Sequence, residues 1–130
     1  MKYLGIDFGT KKVGLALSDD AGQMGFPHGI LPNNGFLIDE ILALIERKGV
    51  EAVVMGESRN FQGEENPVAK EAKAFVRLLE QRMDIPVYFE PEMLTTQEAR
   101  RDFEGVRIKG DPVVDSSAAA LILTSYLSRA

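Results

Sequence analysis

Asp7, Glu92 and Asp115 are the residues whose types and positions point to chemistry. Asp7 lies near the end of the run Tyr3-Leu4-Gly5-Ile6-Asp7-Phe8, in which apolar character alternates. Its carboxylate therefore falls at the end of an interior strand, on the face of Tyr3 and Gly5. A charge at such a place must be paired, hydrogen-bonded or bound to a cation. Asp115 falls in the first turn of a C-terminal helix. Its neighbours at helical spacing are Ala118, Ala119 and Ile122, the apolar stripe, so the acid is turned toward the sheet. Glu92 follows a strand at about 85–90, at the edge where functional loops gather in α/β folds. Each acid alone also has a plainer role: Asp7 as cap of the Gly9-Thr10 turn, Asp115 as helix-dipole partner, Glu92 as a solvated loop residue. Together, three carboxylates with no cysteine and one histidine suggest a hard oxygen site for Mg2+ or Mn2+. Two such ions can clamp the attacking and leaving oxygens of a phosphodiester. Water then serves as nucleophile and no side chain has to.

The elements that must hold these acids can be read from the pattern of apolar residues. Residues 2–8 read as a strand, Gly9-Thr10-Lys11-Lys12 as a turn, and 13–18 as the second strand of a hairpin. A third strand is expected over 23–31, weakened by Pro27. Asn33-Asn34 offers an N-cap to a helix over 35–48, whose apolar positions are Leu37, Ile41, Leu44 and Ile45 and whose end is Gly49. A buried strand at 52–56 follows. Asn66-Pro67 then opens an amphipathic helix marked by Val68, Ala72, Phe75, Val76, Leu79 and Met83. A strand at 85–89, a short helix from Thr95 or Thr96 to Phe103, and a last helix from Asp111-Pro112 or Asp115 to Leu127 complete the chain. The order β-β-β-α-β-α-β-α-α implies an α/β fold, a mixed five-stranded sheet with helices on both faces, which is the ribonuclease H-like pattern.

The 130 residues are one domain's worth and bury enough surface to fold without a disulfide or metal staple. The absence of cysteine excludes thiolate chemistry and Cys-based metal sites. No signal peptide and no membrane-spanning apolar run is read, so a cytoplasmic domain without a membrane partner is expected. The net charge of −5 does not advertise a nucleic-acid partner. The only segment with net positive charge is 93–110, at +1, carrying Arg100, Arg101, Arg107 and Lys109 between two of the candidate acids. Two divalent cations would bring the protein near neutral, so affinity for nucleic acid is expected to be weak and salt-sensitive. Lys11 and Lys12 lie in the turn beside Asp7 and can reach a phosphate, or simply be solvated there. Arg59 and Asn60 lie in the loop after the fourth strand and are candidate backbone contacts. His28 beside Pro27 reads as a structural or surface residue.

The opening run Gly5-Ile6-Asp7-Phe8-Gly9-Thr10-Lys11-Lys12-Val13-Gly14-Leu15-Ala16 resembles the first motif of the YqgF family. Those proteins are RuvC-like members of the ribonuclease H superfamily, described as Holliday junction resolvases and as nucleases that mature the 5′ end of small-subunit ribosomal RNA precursors. Pro91-Glu92-Met93-Leu94-Thr95-Thr96-Gln97-Glu98-Ala99 is similar to the family's Asp-Glu-Arg-Leu-Thr/Ser-Thr-x-Glu-Ala block. Val114-Asp115-Ser116-Ser117-Ala118-Ala119 is similar to its last acidic motif. The resemblance covers essentially the whole chain. It implies that Asp7, Glu92 and Asp115 are catalytic and hold two Mg2+ or Mn2+ ions, with Glu57 and Glu98 as supporting or alternative acids. It also implies that Thr10, Lys11, Lys12, Arg59, Asn60, Thr95, Thr96, Arg100 and Lys109 face a nucleic-acid substrate. The implied partner is a structured RNA, the ribosomal RNA precursor, or a branched DNA; the implied state is a monomer for RNA trimming or a homodimer for junction cleavage.

The sequence departs from that pattern in two places. Pro91 and Met93 replace an acid and a phosphate-binding cation, and Gly56-Glu57-Ser58-Arg59-Asn60 replaces the family's Gly-Leu-Pro-Leu-Asn. Glu57 thereby puts an acid where RuvC enzymes carry one, at the end of the fourth strand. A non-catalytic binding module is the alternative these departures favour. The Gly5–Thr10 run also resembles the first phosphate motif of the actin, Hsp70 and sugar-kinase superfamily. Those proteins clasp nucleotide between two such domains, and 130 residues supply one.

Overall fold

The computed structural model describes residues 1–57, 67–91 and 112–129, with the side chains of 67 and 112–117 excepted. Five strands form one mixed sheet: β1 (Tyr3–Phe8), β2 (Lys12–Ser18), β3 (Gly25–Pro32), β4 (Ala52–Glu57) and β5 (Val87–Pro91). Their order across the sheet is β3-β2-β1-β4-β5, with β1–β2 and β2–β3 antiparallel and β1–β4 and β4–β5 parallel. The helices are α1 (Leu37–Lys48), α2 (Pro67–Glu80) and α3 (Pro112–Arg129). This is the α/β architecture the sequence pattern implied. The short helix expected after Thr95 or Thr96 lies outside the described residues.

Alternation along the strands creates two cores. Leu4, Ile6, Phe8, Val13, Leu15, Val53 and Met55 face α1 and α2, where Leu37, Ile41, Leu44, Ala72, Phe75, Val76 and Leu79 meet them. The periodicity read from the sequence is thus the buried stripe of both helices. On the other face, Ala16 and Val54 pack against Ala119, Ala120, Ile122, Leu123 and Leu127 of α3. Here the helix must lie close. A Cβ on Gly5 would stand 2.9 Å from Leu123 Cβ and 3.1 Å from the Ala119 carbonyl oxygen.

Two local expectations are corrected. Asn33 and Asn34 do not cap α1: its N-cap is Phe36, which makes no side-chain capping bond. Asn34 instead accepts the Phe36 N–H at 2.9 Å through its side-chain oxygen, closing an Asx turn, and Asn33 turns away to the β1–β2 loop. Helix α2 stops at Glu80, so Met83, expected on its stripe, packs against the core from the turn that follows. Pro27 is tolerated because β3 is an edge strand whose register shifts beside it. Leu15 pairs with Gly29 and Ala16 with Pro27, leaving His28 as the extra residue of a bulge. Gly49, with φ 67°, closes α1 as expected.

Candidate active site

Among the described residues, Asp7, Thr10, Lys11, Lys12 and Glu57 lie at one edge of the sheet. Strands β1, β3, β4 and β5 all end there, at Phe8, Pro32, Glu57 and Pro91, and β2 begins there at Lys12. Strand order reverses between β1 and β4. The chain leaves β1 toward β2 on one side and leaves β4 toward β5 on the other, which opens the crevice where α/β folds bind ligands. The turn with Thr10 and Lys11, and the chain leaving β4 and β5 toward Arg59, Asn60 and Glu92, all depart from this edge.

Asp7 stands at the crevice on the α3 face, two residues beyond Gly5. Its partner across β2 is Gly14. On the β4 side, Asp7 and Gly56 follow the last registered pair, Ile6 and Met55. Glycines on both flanking strands leave no side chain beside the carboxylate in its row. Gly56 in turn pairs with Glu90 of β5. The row across the sheet is therefore Gly14, Asp7, Gly56, Glu90, with the two acids about 10 Å apart, two strand spacings.

Glu90 is an acid that sequence reasoning passed over. It is 3% exposed, accepts the Ser125 hydroxyl at 2.8 Å and forms an ion pair with Arg129 of α3. Beside it Tyr88 stacks on Tyr126, with ring centroids 5.5 Å apart, and Tyr126 also meets Tyr3. Burial, followed by the neighbouring Tyr88, Tyr3 and Glu90, holds the Tyr126 hydroxyl above its ordinary pKa. The signal available was the alternation of Tyr88 and Glu90 onto one face of β5. What the alternation could not supply was the arginine, 39 residues further along the chain.

Glu57 takes the other face. Strand β4 runs through it, and alternation sends it opposite to Gly56, toward α2, where Lys73 Nζ lies 3.9 Å from its carboxylate. The structure therefore brings Glu57 to the same edge as Asp7 but across the sheet from it. Thr10, Lys11 and Lys12 are exposed at the end of the β1–β2 connection, with Lys12 already the first residue of β2. The turn is tight: a Cβ on Gly9 would stand 2.5 Å from the Lys12 carbonyl oxygen, so only glycine fits. Asn33 braces it, donating its backbone N–H to Lys11 O at 2.9 Å and its side-chain amide to Gly9 O at 2.8 Å. Asp115 lies in the first turn of α3, with its side chain outside the description. Arg59, Asn60, Glu92, Thr95, Thr96, Glu98, Arg100 and Lys109 lie outside the described residues.

A hard divalent cation suits Asp7: a carboxylate at a strand end, with no thiolate available and the sole histidine on the distant strand β3. Among the described residues no three His, Asp or Glu side chains are grouped to hold a metal by themselves. A cavity of about 270 Å³ lies elsewhere, between β3 and α1, lined by Leu15, His28, Leu31, Glu40, Leu44 and Arg47. Partial desolvation, then Lys48 and Arg47, hold the His28 ring below its ordinary pKa. This cavity opens on the face opposite Asp7. Among the described residues no helix is long and apolar enough to cross a membrane.

A family profile described as RuvX, Holliday junction resolvase, matches residues 1–129. The chain belongs to this family. It is the family that the opening motif resembles under the name YqgF. A relative from Nitratidesulfovibrio vulgaris, named “Putative pre-16S rRNA nuclease”, is 37% identical over 134 residues, covering 98% of this chain and 94% of the relative. A relative of the same name from Limosilactobacillus reuteri is 36% identical over 138 residues, covering 99% and 94%. Among solved structures, T. thermophilus RuvC in complex with a Holliday junction substrate superposes with a TM-score of 0.64 at 20% identity, covering 99% of this chain and 95% of that one. That likeness is one of fold, and it agrees with the sheet order and the two-faced helix packing seen here.

Proposed function

We propose that this protein is a divalent-cation-dependent nuclease that hydrolyses phosphodiester bonds in maturing the 5′ end of the small-subunit ribosomal RNA precursor in the cytoplasm. The observation that carries this reading is the position of Asp7, at the carboxyl end of the central strand, at the switch point, between glycines of both neighbouring strands. A scissile phosphate and its cations can approach that carboxylate without meeting a neighbouring strand's side chain. The choice of RNA rests on the names of relatives at 36–37% identity, whereas the description of the family profile, Holliday junction resolvase, favours a branched DNA as the alternative substrate.

Asp7, Glu92 and Asp115 hold two Mg2+ or Mn2+ ions in this reading, each from a different element. Bound divalent ions supply positive charge at the attacking and leaving oxygens and make water a better nucleophile at neutral pH. The chain's own part is to fix the acids and to seat the substrate. Strand β1 and the close contact of Gly5 with α3 fix Asp7 relative to the helix that carries Asp115. Thr10, Lys11 and Lys12 bind phosphates on one side of the crevice, while Arg59, Asn60, Thr95, Thr96, Arg100 and Lys109 contact the strand from the segments that follow β4 and β5 in the chain. Glu98 supports the acids from outside. Glu57, across the sheet beside Lys73, is left out of the cation-holding set. A monomer suffices for such trimming.

The test is cleavage, with Mg2+ or Mn2+, of a labelled ribosomal RNA precursor fragment and of a labelled four-way DNA junction. Cutting of the RNA at its 5′ processing site supports the proposal. Cutting of the junction alone replaces it with the resolvase reading. Binding without cutting of either, by folded protein, replaces it with a non-catalytic module.

A further inference from the structure

Phe36, at the start of α1, is the most exposed of the large apolar side chains among the described residues. Phe36 is 70% exposed, against 50% for Phe26 and 37% for Phe89. An apolar ring left in water gains nothing for the fold, and the backbone that carries it is fixed. Its N–H is held by the Asn34 side chain at 2.9 Å, its carbonyl accepts the Glu40 N–H at 3.0 Å, and it opens α1. The same loop is fastened to the β1–β2 turn by the two Asn33 bonds to Lys11 O and Gly9 O. An exposed ring on a fastened backbone, an exposed Lys11 and the end of β1 therefore share the carboxyl edge, the ring on the α1 side of the sheet and Asp7 on the α3 side.

We propose that Phe36, together with Lys11, is a stacking platform for an unpaired nucleobase of the strand whose phosphate lies at Asp7. The chemistry is that of single-strand recognition: every base has a π-face that stacks on an aromatic ring, and a lysine neutralises the adjoining phosphate. A base within a regular duplex has both faces covered and cannot use the platform. The protein would thus engage strands that are single or splayed at the cleavage point, on either side of the RNA–DNA distinction. This inference rests on the nuclease reading above, because it takes the nucleic-acid strand to run past Asp7.

The test uses the full chain carrying Asp7→Asn, so that substrate survives, and a short single-stranded RNA with one fluorescent aminopurine base. A DNA strand of the same sequence and the fully paired RNA duplex are the comparison arms. Adding Phe36→Ala should weaken single-strand binding about five- to hundred-fold, the range for loss of one stacked base, and abolish the quenching of the aminopurine. Phe36→Trp should restore both, Phe26→Ala on the opposite edge should change neither, and duplex binding should be indifferent to all three. Equal affinities for Phe36→Ala and Phe26→Ala overturn the platform while leaving the nuclease reading intact. No binding of any strand by any variant overturns both.

Discussion

The contact between Gly5 and α3 offers a sharp test of how the site is assembled. Gly5→Ala places a methyl 2.9 Å from Leu123 Cβ and 3.1 Å from the Ala119 carbonyl oxygen, where carbon atoms are comfortable at about 3.5–4 Å. Neither neighbour can rotate away: one is a Cβ atom and the other belongs to the helix backbone. The helix must lift from β1 by roughly 0.5–1 Å, and overpacking of this kind costs about 1–3 kcal/mol. Restricting the unfolded chain at residue 5 returns about 0.4–1 kcal/mol, which leaves a net loss of about 1–2 kcal/mol. With an unfolding entropy of about 2.1 cal/mol/K per residue, this 130-residue chain loses about 0.27 kcal/mol per degree, so the midpoint should fall by about 4–7 °C. Thermal melts followed by circular dichroism measure it. Gly29→Ala and Gly35→Ala are the controls, because their added methyls meet nothing within 4 Å. In the proposed nuclease the same lift separates Asp115 from Asp7, so cleavage at a temperature well below the midpoint should fall as well. A Gly5→Ala protein as stable and as active as Gly35→Ala would refute the close packing of β1 on α3 as the device that sets the site.

Other perturbations read other parts of the structure. Glu90→Ala leaves Ser125 without its acceptor and Arg129 without its ion pair; Arg129 is 60% exposed and is solvated instead, so denaturant melts should show a loss of about 1–3 kcal/mol, toward the low end. His28 has its folded pKa below the ordinary 6.5, so the unfolded chain binds more protons between the two values and stability rises with pH across that window. Denaturant melts should show this contribution complete above pH 6.5 and lost as pH falls toward the folded value; His28→Gln should remove that part of the slope, and an unchanged slope would contradict the desolvated ring. Ile41→Ala, at a fully buried position of α1, should cost about 2–5 kcal/mol in the same melts, whereas truncating exposed Phe26 should cost under about 0.5 kcal/mol.

Some of these features were legible in the chain and some were not, for physical reasons. Leu37, Ile41, Leu44 and Ile45, and the Val68–Leu79 stripe, announce themselves because a helix buried on one side repeats its apolar residues at the helical period. Asp7 was equally legible, since alternation from buried Leu4 and Ile6 assigns it to the face of Gly5. The face of Glu57 was not, because it turns on whether β4 ends at Gly56 or continues one residue, and a single residue reverses the direction of a side chain. The burial of Glu90 depended on an arginine and a serine of α3, remote in sequence. The Asn33-Asn34 pair carried the usual signs of a cap, yet its side chains found better partners in the Gly9 carbonyl and the Phe36 amide. Phe36 itself has no period to betray it, since its exposure comes from how that Asx turn delivers the chain into α1.

Asp7→Asn decides whether the carboxyl edge around Asp7 is the catalytic centre of a cation-dependent nuclease. The measurement is the rate of Mn2+-dependent cleavage of the ribosomal RNA precursor fragment by variant and parent, with melting midpoints taken on the same preparations. Cleavage should be abolished while the midpoint moves by no more than a few degrees. Cleavage by Asp7→Asn at the parent rate would contradict it and move the active site away from β1.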